Sequence, residues 1–324
     1  MEWLMLGAVI GIGFAALAWS ADRFVSGASA IASHFGVSSM LIGLTVVGIG
    51  TSLPEMLVSA IAAFDGTAAL ALGNALGSNV ANVGLILGTT ALIAPLTMHP
   101  RILRREYPLL LGVVIATGLL LLDSHLSRAE GILLLLGMLG VLIWMGVQSR
   151  QLGDPSDPII AEIQAALPTP RPFKKSLSYA LIGLVVLLFS SRVLVWAAVT
   201  LASKLGVSDL IIGLSIVAVG TSLPELAAAI ASVRRGEDDL AIGNIIGSNI
   251  FNLLGVLGIA AVITPFAVEG VSLARDYGIM SIFMLAIVLM GFAIGRNAQV
   301  GRLEGGILLS VFIAYQILLF VMGR

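Results

Sequence analysis

The chain has 324 residues, of which 58% are hydrophobic and 11% are charged, and its mean hydropathy is +1.08. A soluble domain carries about 25% charged residues, so this composition excludes a soluble enzyme and a disordered chain. It also excludes a membrane β-barrel, whose strands would alternate polar and apolar residues. The formal net charge is −1 and there are no cysteines. These two facts argue against nucleic-acid binding, disulfides and thiolate metal sites.

Long apolar segments recur along the chain, and a transmembrane helix needs about 20 mostly apolar residues. We predict ten spans, at residues 3–22, 39–64, 70–95, 106–122, 129–147, 176–200, 209–233, 240–263, 276–295 and 304–322. A polar, proline-rich linker, 148–175, separates a first five-helix repeat, 1–147, from a second, 176–324. The predicted fold class is an all-α integral membrane protein. Only Glu2 precedes the first apolar segment, without a basic residue, so we expect this segment to be a span and not a cleaved signal peptide.

Lysine and arginine fall unevenly on the two sides of the predicted spans. Twelve lie on one side, namely Arg23, Arg101, Arg104, Arg105, Arg150, Arg171, Lys174, Lys175, Arg234, Arg235, Arg296 and Arg302. The other side has Arg128, Lys204, Arg275 and Arg324, with Arg192 near that end of the sixth span. Because basic loops stay in the cytoplasm, we expect a protein of the plasma (inner) membrane with both termini outside and the linker inside.

The two halves of the chain repeat each other. Residues 41–96 align without a gap with residues 211–266, with 24 identities in 56 positions. Gly-Thr-Ser-Leu-Pro-Glu recurs, and so does Gly-Asn-x-x-Gly-Ser-Asn-x-x-Asn. Because each half has an odd number of spans, the second enters the membrane from the opposite side. The sequence thus predicts two inverted five-helix repeats, a transporter architecture with its site near the membrane midplane.

Two acidic residues, Glu55 and Glu225, are predicted in the middle of membrane spans, whereas the other acidic residues lie in loops or near helix ends. A charged group at the bilayer centre is costly, so such a group is a functional-site candidate. Each glutamate could instead be a protonated side chain that only bonds a neighbouring helix. Their equivalent positions in the two repeats favour a shared site.

Other polar side chains share the helical faces of these acids. Thr51 lies four residues before Glu55, and Ser78 lies four residues before Asn82, so each pair occupies one face. The second repeat has the same pairs, Thr221 with Glu225 and Ser248 with Asn252. Further hydroxyls and amides are Ser52, Ser222, Asn74, Asn79, Asn244 and Asn249.

Proline and glycine predict local breaks near the acids. Pro54 and Pro224 each remove a backbone donor, so we expect broken helices with free carbonyls near Gly50 and Gly220 that could serve as ligands. A simple kink is the alternative. Gly-Ser-Asn, at 77–79 and again at 247–249, is interpreted as a turn that lets helices approach closely.

The candidate ligands are all oxygen atoms. No cysteine is present, and the three histidines, His34, His99 and His125, are predicted in loops, so zinc and copper are disfavoured. Calcium accepts six to eight oxygens in a flexible shell, and two carboxylates neutralise one divalent cation. Hydroxyl and carbonyl groups beside the carboxylates would suit sodium. We expect bound calcium and sodium as transported ions and no cofactor.

The two motif copies closely resemble the alpha repeats of the sodium/calcium exchanger family, within the calcium/cation antiporter superfamily. The resemblance implies a bacterial calcium/sodium antiporter in which Glu55 and Glu225 ligate calcium. It implies that the remaining ligands are Thr51, Ser52, Ser78, Asn82, Thr221, Ser222 and Ser248. It also implies exchange by alternating access, with the first and sixth helices as the moving elements.

Asn252 departs from many exchangers of this family, which carry aspartate at this position. The site then has two acids, with Asn82 facing Asn252, and the departure leaves sodium or proton open as the coupling ion. The linker is also too short for the calcium-sensing domains of animal members, so no such regulation is expected.

Three other functions were considered. A calcium/proton or broader cation/proton exchanger would keep the fold and change the coupling ion. A cation channel would conduct without a counter-ion. An intramembrane hydrolase would use Ser52 or Ser222, but no base is predicted at the same depth to activate either hydroxyl. No phosphate-binding loop is present to indicate an ATP-driven pump.

Overall fold

The computed structural model describes residues 2–35, 39–66, 68–97, 100–151, 172–204, 218–267, 270–293 and 299–322. These residues are almost entirely helical. Seven described helices are long and apolar enough to cross a membrane, or eight candidate spans if a bent pair is counted as one. The predicted span 106–122 is not among them, because its helix carries four charged residues in its first turns. The predicted span 209–233 begins outside the described residues.

The first half contains eight α-helices. They are α1 (Glu2–His34), α2 (Ser39–Ile42), α3 (Gly48–Thr51), α4 (Leu53–Phe64), α5 (Ala68–Ala81), α6 (Gly88–Ile93), α7 (Pro100–Leu120) and α8 (Arg128–Gln151). Two π-helical segments, Gly43–Val47 and Asn82–Leu87, continue the chain between α2 and α3 and between α5 and α6. The strands β1 (Leu96–Thr97) and β2 (His125–Leu126) flank α7.

The second half repeats this order where it is described. Its helices are α9 (Phe173–Lys204), α10 (Ala218–Thr221), α11 (Leu223–Arg234), α12 (Asp238–Phe251), α13 (Leu257–Ile263), α14 (Gly270–Ala293) and α15 (Arg302–Met322). A π-helical segment, Asn252–Val256, joins α12 to α13. The strands are β3 (Phe266–Ala267) and β4 (Gln299–Val300). The predicted linker lies mostly outside the described residues.

The repeat of the sequence is also a repeat of the backbone. Helices α4 and α5 have the same bounds as α11 and α12 at the sequence offset of 170. Strand β1 pairs antiparallel with β4, and β2 pairs antiparallel with β3, so each two-stranded sheet joins the two halves. A Cβ added at Gly88 would lie 3.0 Å from the carbonyl oxygen of Gly305, and one added at Gly258 would lie 3.1 Å from that of Gly131. Glycine thus permits the same close helix crossing in both halves.

Helices α1 and α9 lie side by side and run antiparallel, since Gly13 contacts Leu194 whereas Gly27 contacts Ala180. Both helices extend beyond the predicted spans 3–22 and 176–200. Asp22 and Arg23 therefore lie inside α1, and Arg192 lies inside α9. The prediction that Glu55 and Glu225 are the only acidic residues in the middle of a helix is wrong, because α1 continues for three turns past Asp22.

The most buried spans are those formed by α5 with α6 and by α12 with α13. The other candidate spans are mostly exposed along their length, and their outer side chains are large and apolar. Such an outer surface suits a lipid environment. The Gly-Asn-x-x-Gly-Ser-Asn-x-x-Asn motifs lie in these two buried spans, and the Gly-Thr-Ser-Leu-Pro-Glu motifs extend from α3 into α4 and from α10 into α11, which pack beside them.

Candidate functional site

A break in the helix precedes each of the two buried acids. Ser52 and Ser222 have almost identical non-helical backbone angles, with φ of −84° and −85°, and each is followed by a new helix with proline in its first turn. In the first half, the segments Gly43–Thr51 and Leu53–Phe64 are bent by 47°. The break that was predicted from the prolines is therefore present, and it places each glutamate in the first turn of a half-helix.

The predicted free carbonyl near Gly220 is occupied. Its oxygen accepts a hydrogen bond of 3.0 Å from the Ser191 hydroxyl of α9. A serine from a neighbouring helix thus replaces the amide donor that Pro224 removes. Because a carbonyl oxygen has two lone pairs, this bond leaves one of them for an ion, and the role of this carbonyl as a ligand stays a prediction.

The carboxyl groups of Glu55 and Glu225 are buried, with side chains that are 1% and 2% exposed. The Ser52 hydroxyl donates to Glu225 Oε1 at 3.2 Å, which links the two halves. Both carboxyl oxygens of Glu55 are buried and have no hydrogen-bond partner that meets the distance and angle criteria among the described residues.

Amide side chains fix the half-helices that carry the acids. Asn74 Nδ2 donates to the backbone oxygen of Glu55 at 3.3 Å, and Asn244 Nδ2 donates to that of Glu225 at 3.4 Å. The Oδ1 atom of Asn244 also accepts from the Thr51 hydroxyl at 3.1 Å. These bonds attach α5 to α4 and α12 to α11, and they tie Thr51 to the second half.

Four asparagines form two crossed pairs between the halves. Asn82 Nδ2 donates to Asn249 Oδ1 at 3.1 Å, and Asn252 Nδ2 donates to Asn79 Oδ1 at 3.0 Å. The repeated Asn-x-x-Asn spacing was a signal for these residues. It did not predict that each asparagine would pair with the non-equivalent asparagine of the other repeat.

Several buried oxygen atoms of this cluster have no hydrogen-bond partner among the residues that the structure describes. They come from three pairs of equivalent residues, and they are both oxygens of Glu55, Oε2 of Glu225, the hydroxyls of Ser78 and Ser248, and Oδ1 of Asn82 and Asn252. Unpartnered buried polar atoms are rare in proteins and call for an explanation such as a bound ion. Because these atoms recur at equivalent positions of the two repeats, chance does not explain them.

Asn82 and Asn252 each begin a π-helical segment. Such segments are rare and are frequent at functional sites. They widen the turn of the helix directly after the candidate ligand. Sequence reasoning did not predict them, because apolar periodicity does not distinguish one wide turn from a regular helix.

The Gly-Ser-Asn segments are not turns, since residues 77–79 lie inside α5 and residues 247–249 lie inside α12. The predicted close approach is present in the second half, where a Cβ at Gly247 would lie 2.4 Å from the backbone oxygen of Leu44. The equivalent neighbour of Gly77 would be residue 214, which lies outside the described residues.

Among the described residues, no group of three or more histidine, cysteine, aspartate or glutamate side chains could hold a metal ion. His34 ends α1 and His125 lies in β2, while His99 is outside the described part of the chain. The cluster therefore offers two carboxyl groups surrounded by hydroxyls and amides. All ten predicted ligand residues are buried here, namely Thr51, Ser52, Glu55, Ser78, Asn82, Thr221, Ser222, Glu225, Ser248 and Asn252.

Two repeats that share a buried polar centre between membrane-spanning helices are typical of secondary transporters. The sodium/calcium exchanger protein family matches residues 5–147 and 175–321. The chain belongs to this family, as its motifs indicated, and is a cation antiporter.

Named relatives cover nearly the whole chain. The putative antiporter CaxA of Alkalimonas amylolytica is 48% identical over 95% of this chain and 97% of its own. The sodium/calcium exchanger MaX1 of Methanosarcina acetivorans is 28% identical over 96% of this chain and 97% of its own. A solved structure of the sodium-calcium exchanger NCX_Mj, soaked with sodium and strontium, has a TM-score of 0.81 and 30% identity, and covers 96% of this chain and 97% of that one.

Proposed function

We propose that the protein exchanges calcium for sodium across the membrane by alternating access, and that the ions compete for one site around Glu55 and Glu225. The observation that carries this proposal is the set of buried, unpartnered oxygen atoms from Glu55, Ser78 and Asn82 and their equivalents. They are carboxylate, hydroxyl and amide oxygens, the hard ligands that calcium takes.

The charge of the cluster also fits a divalent cation. Two buried carboxylates without a cationic partner would repel each other, and each would be costly to bury. One calcium ion neutralises both. Several sodium ions do the same, provided that each finds its own oxygen atoms among the hydroxyls of Thr51, Ser52, Thr221 and Ser222. Calcium and sodium therefore compete for the same two carboxylates.

Ten transmembrane helices in two inverted repeats provide the framework for this exchange. The antiparallel α1 and α9, which are equivalent in the two halves, support the inversion. We place both termini outside the cell and the linker 148–175 in the cytoplasm of the plasma membrane, on the distribution of lysine and arginine. The repeats are residues 1–147 and 176–324.

Sodium is the proposed coupling ion because relatives of similar length are named sodium/calcium exchangers. The alternative coupling ion is a proton. It is considered because Asn252 replaces an aspartate of many family members, which leaves the site with two acids. Calcium uptake into proteoliposomes at fixed pH and voltage separates the two. Uptake that requires an outward sodium gradient supports sodium, whereas uptake driven equally by a pH gradient without sodium supports the proton. Uptake that needs neither gradient identifies a channel.

The test of the site uses calcium-45 uptake driven by a sodium gradient, with Glu55→Gln and Glu225→Gln. We expect both variants to lose uptake, since each leaves a single charge opposite a divalent ion. Glu304→Gln is the matched control, because it removes an acid of the same size from the first turn of α15, outside the site. Full activity of either site variant would refute the assignment.

A further inference from the structure

An ion pair connects α1 to the turn that follows α11. Arg235 donates from Nε and Nη2 to Asp22 Oδ1, at 2.9 and 2.6 Å. Two helical turns further along α1, the Ser29 hydroxyl donates to Glu237 Oε1 at 2.5 Å. These contacts hold α1 against the end of α11, and α1 packs along that helix.

The repeat offset relates Asp22 to Arg192 and Arg235 to Asp65. The long helix carries aspartate in the first repeat and arginine in the second. The turn after the half-helix also carries aspartate in the first repeat and arginine in the second. Asp65 and Arg235 occupy identical turns, each followed by a glycine with positive φ, at Gly66 and Gly236. Arg192 of the second repeat and Asp65 of the first are therefore the groups for an equivalent ion pair between α9 and the turn after α4.

This second pair is not formed. Neither Arg192 nor Asp65 has an ion-pair partner among the described residues, and both are exposed. Helix α9 also lacks packing against α4 comparable to that of α1 on α11, although both helices are described. Arg192 belongs to a candidate membrane span, Phe173–Ala197, where an unpaired charge is costly. The structure is therefore asymmetric at a place where the sequence is symmetric.

We infer that Asp22–Arg235 and Arg192–Asp65 are alternating ion pairs, each of which closes one face of the protein while the other is broken. The inference rests on the proposed alternating access. Since the two halves have equivalent backbones, exchanging their conformations brings α9 against α4 as α1 now lies against α11. That exchange breaks the first pair and forms the second. All four residues are positioning residues, because none lies in the polar cluster that would bind the ions.

Disulfide cross-linking tests the geometry directly, because the chain has no cysteine to remove. One variant carries Asp22→Cys with Arg235→Cys, a second carries Asp65→Cys with Arg192→Cys, and a third carries all four changes. We expect each pair alone to cross-link in membranes, and the four-cysteine variant to form one disulfide per molecule and not two. The absence of a 65–192 disulfide in sodium, in calcium and without either ion would overturn the inference. Two disulfides in one molecule would overturn it equally.

Variants that remove one charge provide a second test, because the loss of either ion pair should shift the distance between α4 and α9 in the opposite direction. Spin labels at Phe64 and Phe189, two exposed positions beside Asp65 and Arg192, report the gap between α4 and α9. Because each pair is partly exposed, its loss should change the ratio of short to long distances by about two- to fivefold. Asp22→Asn should favour the short distance, and Arg192→Gln should favour the long one. Shifts in the same direction would contradict alternation.

Two controls complete the design. Arg234→Gln removes a neighbouring positive charge that has no ion pair with any described residue, and should leave the distances unchanged. Exchanging the charges, with Asp22→Arg and Arg235→Asp, should restore the distribution that Asp22→Asn disturbs. Sodium-driven calcium uptake is measured on the same proteins. Uptake without a 65–192 disulfide refutes only the ion pairs, whereas alternating disulfides without calcium uptake refute only the proposed cargo.

Discussion

The four asparagines of the polar cluster perform two different tasks. Asn82 and Asn252 each donate their amide nitrogen across the repeat interface, so their oxygens remain free inside the protein. Asn79 and Asn249 supply the acceptors that hold them. An amide whose nitrogen is held by a hydrogen bond presents its oxygen in one direction, just as hydrogen-bond partners orient the ligands of a metal ion. The candidate ligands are in this way oriented before any ion arrives.

The serine hydroxyls lead to a prediction that separates binding from folding. Ser78→Ala and Ser248→Ala should each weaken calcium binding about tenfold, since each removes one oxygen ligand. The ion-free protein should unfold at the same temperature or higher, because neither hydroxyl has a partner to lose. Calorimetric calcium titration and thermal unfolding in chelator measure the two quantities.

Ser232→Ala is the matched control for these variants. Its hydroxyl is buried in α11 and donates to the Ala228 oxygen at 2.8 Å, away from the acid. We expect unchanged calcium affinity and a loss of stability of about 1 kcal/mol or less. Calcium affinity that falls equally in all three serine variants would show that the hydroxyls of Ser78 and Ser248 are not ligands.

Calcium should stabilise the folded protein through the two glutamates. Binding to the folded state alone adds about 2.7 kcal/mol to the free energy of unfolding at a hundredfold excess over Kd. Glu225→Gln should abolish this calcium-dependent gain without destabilising the ion-free protein, because it removes a buried charge. Thermal unfolding with and without calcium measures the difference. An equal gain in the variant would place the ion elsewhere.

For individual residues, the sequence predicted the candidate ligands but not their hydrogen-bond partners. Glu55 and Glu225 were predictable because a buried charge is exceptional in an apolar span, and Thr51 and Ser78 followed from helical spacing. The crossed asparagine pairs and the occupied carbonyl of Gly220 depend on contacts between helices that are distant in the chain. No local pattern encodes those contacts.

Among the helices, α1 is unusually long. Its 33 residues span about 50 Å, whereas the hydrocarbon core is about 30 Å thick. A helix of this length must be strongly tilted or must extend into the headgroups. Because α9 is similar in length and lies beside it, we propose that the two helices shift along their axes as one unit during the exchange.

Close packing of α12 against the π-helical segment of the first half gives an element-scale prediction. Gly247→Ala places a Cβ 2.4 Å from the Leu44 oxygen, so the helices must separate. We expect a loss of about 1–3 kcal/mol of stability, measured by thermal unfolding. Gly112→Ala is the control, since a Cβ there meets nothing within 4 Å among the described residues. It should be neutral or slightly stabilising. Equal effects would contradict the close approach.

Apolar segment length predicted where most helices lie, but not where they end. The predicted first span ended at residue 22, within a charged pair, yet α1 continues through Asp22 and Arg23 to His34. Asp22 is neutralised by Arg235, and Arg23 stacks over the rings of Trp19 and Tyr179. The charged residues therefore suggested a helix end at residue 22, but contacts with other helices allow α1 to continue past it. The breaks at Ser52 and Ser222 were predictable from the prolines.

Across the whole molecule, the orientation in the membrane can be tested with single cysteines, because the chain has none. A cysteine at position 324 should react with an impermeant maleimide added to intact cells. A cysteine at position 160 should react only after the membrane is opened. The reverse pattern would contradict the proposed topology, and equal labelling of both sites in intact cells would do so as well.

The two small sheets have a consequence for assembly. Each joins a strand of one half to a strand of the other, through β1 with β4 and β2 with β3. The halves are thus fastened together at two places that do not involve the linker. Two polypeptides, one ending and the other beginning within residues 152–171, should therefore find each other in the membrane and rebuild the transporter. In that case the covalent connection serves synthesis and insertion, and the folded protein behaves as a heterodimer of its own repeats.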